Sequence, residues 1–194
     1  MLFVGLTGGI GSGKSEALAA FERLGAPTLS SDAIVHELLG TADVRDLLHE
    51  RWGDRVLSNG EVDRGAVASI VFERPEELSW LEATLFPRVG ERMARWRAEQ
   101  AAGAVAVVEV PLLFEARIEG AFDVTVAVVA DEGLRDERAQ ARGHQGLEGR
   151  SGRQLSQEEK AQRADLVIRN DGTIQDLEGA VGEVLAELRG RVSR

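Results

Sequence analysis

The sequence predicts an α/β fold: a five-stranded parallel sheet flanked by helices, with a helical region inserted between two of its strands. Three observations predict it. An apolar run from Leu2 to Leu6 with strand character leads into the glycine-rich segment Gly8 to Ser15 and then into Ala17 to Phe21, which reads as helix. Two later runs, Val105 to Val110 and Asp123 to Val129, are short, continuous and β-branched, as buried parallel strands are. Between the second and third strands lie about sixty residues of helical pattern, more than an ordinary crossover uses.

In chain order, Gly25-Ala26-Pro27 closes the first helix, and Thr28 to Ser31 forms a short second strand that ends at Asp32. Ala33 to Leu39 reads as helix, with Ser31 available as its N-cap. From Asp43 to about Gly103 the pattern is helical throughout: Val44 to Trp52, Ala66 to Phe72, and a long segment from Pro75 that Pro87 is expected to kink or split. Trp52, Trp80 and Trp96 read as packing residues of that region. The strands Val105 to Val110 and Asp123 to Val129 follow, then a helix over Leu134 to Arg142 and a polar, glycine-rich stretch, Gly143 to Gly152, suited to a lid. Leu166 to Ile168 supplies a fifth strand. The final helix, Ile174 to Leu188, carries Leu177, Val181, Val184, Leu185 and Leu188 on one face, a core stripe. The expected organisation is a single domain over 1–194, with a core of about 1–40, 104–135 and 164–194, a helical substrate region at about 41–103 and a lid at about 138–155.

Composition narrows the function. A chain of 194 residues can bury a real core without staples, and with no cysteine it has no disulfide, thiolate metal site or thiol nucleophile. No apolar run reaches the ~18 residues of a membrane helix, and the chain opens directly into a strand without a basic leader, so neither span nor signal peptide is expected. A net charge of −10 argues against a nucleic-acid surface, which relies on a basic face. A cytoplasmic monomer acting on small molecules, with no nucleic-acid or membrane partner, is the expectation.

Gly8 to Ser15 fits GxxxxGK[ST] at every fixed position, in the strand, loop and helix context that the pattern needs. Glycines let backbone N–H groups turn inward around an anion, the helix N-terminus adds partial positive charge, and Lys14 adds a full one. Ser15 can place its hydroxyl on Mg2+. Of 23 basic residues only Lys14 and Lys160 are lysine, so lysine within the loop suggests a need for a slim point charge.

Other candidates keep two readings each. Asp32 can orient a hydroxyl and accept its proton, or merely favour a helix dipole. Glu109, closing the third strand, resembles the acidic residue that holds Mg2+ through water, or is a solvent-facing strand end. Arg138 and Arg142, i and i+4 on one helical face and flanked by Arg150 and Arg153, could reach a polyphosphate or lie on a solvated face. Arg64 could pair with a substrate phosphate, with Asp63 capping its helix, or it could snorkel. His36, His49 and His144 have no ligand spacing and are assigned to no metal or base.

Together these residues resemble the dephospho-coenzyme A kinase family, from Leu2 to about Leu188. The resemblance rests on Gly5-Leu6-Thr7-Gly8-Gly9-Ile10-Gly11-Ser12-Gly13-Lys14-Ser15, Asp32-Ala33-Ile34, Asp63-Arg64 with Ala66 to Phe72, and Val110-Pro111-Leu112-Leu113-Phe114-Glu115. Arg150 with Gln154 and Lys160, and Ala164-Asp165 followed by Asn170 and Gly172, extend it. It implies a P-loop kinase fold and ATP-dependent phosphorylation of the ribose 3′-hydroxyl of dephospho-coenzyme A, completing coenzyme A synthesis. It implies that Gly11, Ser12, Gly13, Lys14, Ser15 and Glu16 bind the ATP phosphates, that Ser15 binds Mg2+, that Asp32 is the catalytic base and that catalytic Arg138 and Arg142 come from the lid. The residues themselves add Lys14 as catalytic, Glu109 as a second expected Mg2+ residue, and Asp32 and Arg64 as expected acceptor contacts. Four features depart from the family pattern: Glu16 stands where threonine is usual, Ser30 replaces the first aspartate of a pair, Phe86 replaces a frequent histidine, and the spacing from Arg142 to Arg150 is short. Rival readings are a kinase for another hydroxyl or nucleotide acceptor and a GTPase-type switch. The chain has no Asn-Lys-x-Asp segment to read guanine, which counts against the switch.

Overall fold

The computed structural model describes residues 1–141 and 154–192. Its element order is β1 (Leu2–Gly8), α1 (Lys14–Arg23), β2 (Thr28–Ser30), α2 (Ser31–Leu39), α3 (Ala42–Trp52), β3 (Leu57–Ser58), β4 (Glu61–Val62), α4 (Arg64–Glu73), α5 (Pro75–Ala98), β5 (Val105–Glu109), β6 (Val124–Val129), α6 (Glu132–Ala141), α7 (Gln157–Arg163), β7 (Leu166–Arg169) and α8 (Ile174–Val192). The chain divides into two compact units, Met1–Ser30 with Glu99–Arg194, and Ser31–Ala98.

The first unit holds the expected five-stranded parallel sheet, in the order β2-β5-β1-β6-β7. β1 lies at its centre because every side chain from Phe3 to Gly8 is buried, which only a strand covered on both faces allows. On one face Val4, Leu6, Val107, Val126 and Ile168 pack against Phe21 of α1 and the Leu177, Val181, Leu185 and Leu188 stripe of α8. On the other face Phe3 stacks on Phe122, with ring centroids 5.0 Å apart. The connections switch sides at β1: β5 pairs with one edge of it and β6 with the other, so the segment after β1 lies at a topological switch point of the carboxyl edge.

The second unit is mainly helical, with three departures from expectation. Residues 57–62 form a small antiparallel hairpin, β3–β4, in a region expected to be helical throughout. The cause is local: Asn59 and Gly60 both have positive φ, 53° and 81°, the Asn-Gly turn that a two-residue hairpin requires. Nor does Pro87 split the long segment, since α5 runs continuously from Pro75 to Ala98. The amide that proline lacks would have met the Ala83 carbonyl; beside it, the Arg88 guanidinium donates to the Thr84 carbonyl, 2.7 Å, one turn back. α2 begins at Ser31, earlier than expected, and this places Asp32 in the first helical turn.

Trp52 meets Trp80 edge-to-face at 5.1 Å, and its indole N–H donates to Glu77, 2.9 Å, which also accepts from Arg51, 2.9 Å. The hydrogen bond from Arg51 first, and that from Trp52 second, hold the Glu77 carboxyl below its ordinary value of 4.5. A carboxylate depressed in the folded state contributes stability above its unfolded value and loses it as pH falls through the folded one. Glu77→Gln is therefore expected to lower the melting temperature at neutral pH and to flatten its fall below pH 4.5, as checked by thermal melts across a pH series.

Candidate functional site: the phosphate loop and its braces

Residues 9–13 leave the end of β1 and enter α1 as the glycine loop. Gly11 and Gly13 have φ of 75° and 90°, which L-side chains rarely adopt, and both are also hemmed in. A Cβ at Gly11 would collide with the Arg135 carbonyl of α6, and one at Gly13 with the Asn170 amide. The loop is thus shaped by its neighbours as much as by its own torsions.

Three groups hold it from outside. The Asn170 side chain, just past β7 and buried, donates from Nδ2 to the Ser12 carbonyl, 2.9 Å. Arg138 of α6 donates to the Asn170 carbonyl, 3.0 Å. Arg135 donates from Nε to the Ile10 carbonyl, 3.0 Å, with its guanidinium over Gly9. Each of these bonds occupies a backbone carbonyl. That suits a loop whose inward N–H groups are to face an anion.

The loop's charged end follows. Lys14 donates to the Gly9 carbonyl, 2.9 Å, and so lies folded over the cradle. Ser15, in the first turn of α1, donates to Glu109 Oε1, 3.2 Å. Glu109 is buried at the end of β5, in register with Leu6 of β1 and Ser30 of β2, which removes the solvent-facing alternative. A hydroxyl and a carboxylate oxygen so placed are hard oxygen donors that could hold Mg2+. Glu16 pairs instead with Arg23, 3.0 Å, which also reaches Glu178 of α8 at 3.3 Å. The carboxylate that departs from the family pattern is therefore drawn along the flank of α1 by a cation about two turns away.

In the second unit Asp32 is exposed in the first turn of α2, and His36, one turn on, contacts Arg64 at the start of α4. Asp63 caps α4 by accepting from the Gly65 and Ala66 amides, at 2.9 Å and 3.1 Å. Arg142, Arg150 and Arg153, and with them most of the expected lid, lie outside the described residues. Arg138, expected to reach phosphate, makes its contact with the Asn170 carbonyl. Asp165 serves the sheet, where its carboxylate accepts from the Thr125 amide, 2.7 Å, and hydroxyl, 2.8 Å, tying β7 to β6.

Sequence reasoning did not single out Arg135. Its partner is a main-chain carbonyl 125 residues away, and no local pattern encodes such a contact. Asn170 could be noticed only as part of a resemblance, and its role as a brace is tertiary.

A parallel sheet switching sides at β1, with a glycine loop, lysine and serine at the switch point and a buried carboxylate on the adjacent strand, defines a P-loop kinase. A solved shikimate kinase from Acinetobacter baumannii shares this fold, at TM-score 0.51 and 15% identity over 97% of this chain and 94% of that one. A profile described as Dephospho-CoA kinase matches residues 2–176, and the chain belongs to that family. The dephospho-CoA kinase of Thermobifida fusca (strain YX) is 38% identical over 99% of this chain and 98% of its own length. A crystal structure from Thermus thermophilus superposes with TM-score 0.83 and 36% identity, covering 96% of this chain and 97% of that one. The family phosphorylates dephospho-CoA to give coenzyme A, the last step of coenzyme A biosynthesis.

Two outcomes test the site. Gly13→Ala, which meets both a positive φ and the Asn170 amide, should weaken ADP binding by about ten-fold or more through strain of ~1–3 kcal/mol, read by calorimetric titration. Glu16→Thr removes only an exposed ion pair and should leave ADP affinity within about two-fold of wild type.

Proposed function

We propose that this chain transfers the γ-phosphoryl group of ATP to the ribose 3′-hydroxyl of dephospho-CoA, releasing ADP and coenzyme A. The observation that carries the reading is the Ser15–Glu109 pair behind a braced glycine loop, in a chain that matches the family over residues 2–176. The backbone N–H groups of Gly11 to Glu16 bind the ATP phosphates, and Lys14 leaves the Gly9 carbonyl to neutralise their charge. Ser15 and Glu109 would hold the magnesium ion, directly or through water, and it would supply positive charge to offset the charge that builds on the transferred phosphoryl group.

Asp32 orients the 3′-hydroxyl and accepts its proton as the oxygen–phosphorus bond forms and the bond to the ADP oxygen breaks. Arg64 meets a phosphate of the acceptor. Arg138 supports the loop through Asn170, and Arg142 retains the charge-neutralising role assigned from sequence. Among the described residues no helix is long and apolar enough to cross a membrane. We place the enzyme in the cytoplasm as a monomer acting on small molecules, without nucleic-acid or membrane partners.

The test is ATP- and Mg2+-dependent conversion of dephospho-CoA to coenzyme A by the purified protein, run beside nucleoside monophosphates as acceptors and GTP as donor. Preference for another acceptor overturns the substrate, and preference for GTP without transfer overturns the reaction class. Lys14→Ala should abolish measurable turnover. Asp32→Asn should lower kcat by about 100-fold or more with ATP binding retained; turnover within a few-fold of wild type would remove Asp32 as the base.

A further inference from the structure

Lys160 is one of two lysines in the chain, and α7 holds it with no exposed surface at all. Burying an ammonium is costly unless its protons are met. Here Nζ donates to the Pro111 carbonyl, 2.6 Å, and pairs with Glu115 Oε1, 2.9 Å. Glu115 Oε1 also accepts from the Leu155 amide, 2.8 Å, while its buried Oε2 has no hydrogen-bond partner among the described residues. Burial lowers the Lys160 pKa, and Glu115 opposes that shift. An imperfectly satisfied buried pair is weak support for stability, because apolar residues often serve as well. Its value lies in what it holds.

It holds a main-chain node. The Pro111 carbonyl that receives the ammonium also accepts from the Thr7 hydroxyl, 3.3 Å, and the Val110 amide donates to the Leu6 carbonyl, 2.8 Å. These contacts join the end of β5 to the end of β1 beyond the last paired residues, Leu6 and Glu109. Thr7 leads directly into the glycine loop, and Glu109 is two residues before Pro111. The node therefore fixes the two strand ends that carry the partners of the Ser15–Glu109 contact. A guanidinium, used at every basic position except Lys14 and Lys160, is a wide planar fork and does not replace a compact ammonium in an enclosed slot.

We infer that Lys160 is a positioning residue for the divalent cation that accompanies the nucleotide: by clamping the Pro111 carbonyl beside Thr7, it holds the Glu109 carboxylate at Ser15. The inference rests on the proposed Ser15–Glu109 magnesium site, so its test is chosen to separate the two.

The probe is Mn2+ with ADP, bound to the full chain and followed by electron paramagnetic resonance, with ADP affinity measured separately in EDTA and folding followed by thermal melts. Lys160→Met should weaken Mn2+ binding in the ADP complex by about ten-fold, as loss of a group supporting a metal ligand commonly does, and leave metal-free ADP affinity unchanged. Lys160→Arg should not rescue it. Thr7→Val removes the other donor to the same carbonyl at nearly constant volume and should shift Mn2+ affinity the same way by less; it keeps the test readable if Lys160→Met fails to fold. In enzyme assays the Mg2+ concentration for half-maximal rate should rise in parallel, with KM for ATP at saturating Mg2+ little changed. Folded variants with wild-type Mn2+ affinity and only a lower melting temperature would overturn the inference and leave the magnesium site standing. A wild-type chain that binds ADP without Mn2+ would overturn the magnesium site and this inference with it.

Discussion

The function depends on a loop that cannot hold itself. Five residues between β1 and α1, three of them glycine, must keep their N–H groups turned inward with few side chains of their own to stiffen them. Glycine permits the torsions but also permits many others, so the conformation has to be imposed from outside. It is imposed through carbonyls: Asn170 on Ser12, Arg135 on Ile10 and Lys14 on Gly9. The Ser12 amide adds a bond inside the loop, to the Gly9 carbonyl at 3.3 Å, so these contacts hold the loop in one shape before any ligand arrives. Arg138 adds a second layer by holding the Asn170 carbonyl.

Charge is likewise placed locally. In a chain with net charge −10, Lys14, Arg135 and Arg138 gather positive charge around the glycine loop and the start of α1, a placement suited to an anion. The acidic residue next to the loop would oppose this were it free to swing inward. Arg23, itself shared with Glu178, gives it a place along the outer side of α1, so a substitution that looks adverse in the sequence is absorbed by neighbours on α1 and α8.

Much of the candidate site is legible in the sequence because its signals are local. Gly11 to Ser15 announce themselves by spacing, and β1, β5 and β6 by continuous apolar, largely β-branched runs, as strands covered on both faces require. The hairpin at 57–62 rests on an equally local signal, Asn59-Gly60, but that turn pair sits among helical neighbours and the longer pattern masks it. Pro87 acts in the opposite sense. It removes one amide from the ladder, and a helix of 24 residues that buries Leu85, Val89 and Met93 runs on through the loss.

By itself, the sequence determined the fold class, the order of the sheet-forming segments, the phosphate loop and the family, because each rests on short-range spacing or on the summed resemblance of ordered motifs. Only the tertiary structure decided whether Glu109 faces solvent or Ser15, where Glu16 sends its charge, that Arg135 and Asn170 brace the loop, and that Lys160 is enclosed against Pro111. These are contacts between residues 7 to 158 positions apart in the chain. Most depend on the crossover that brings β5 and β6 to opposite edges of β1, and no local spacing carries that information.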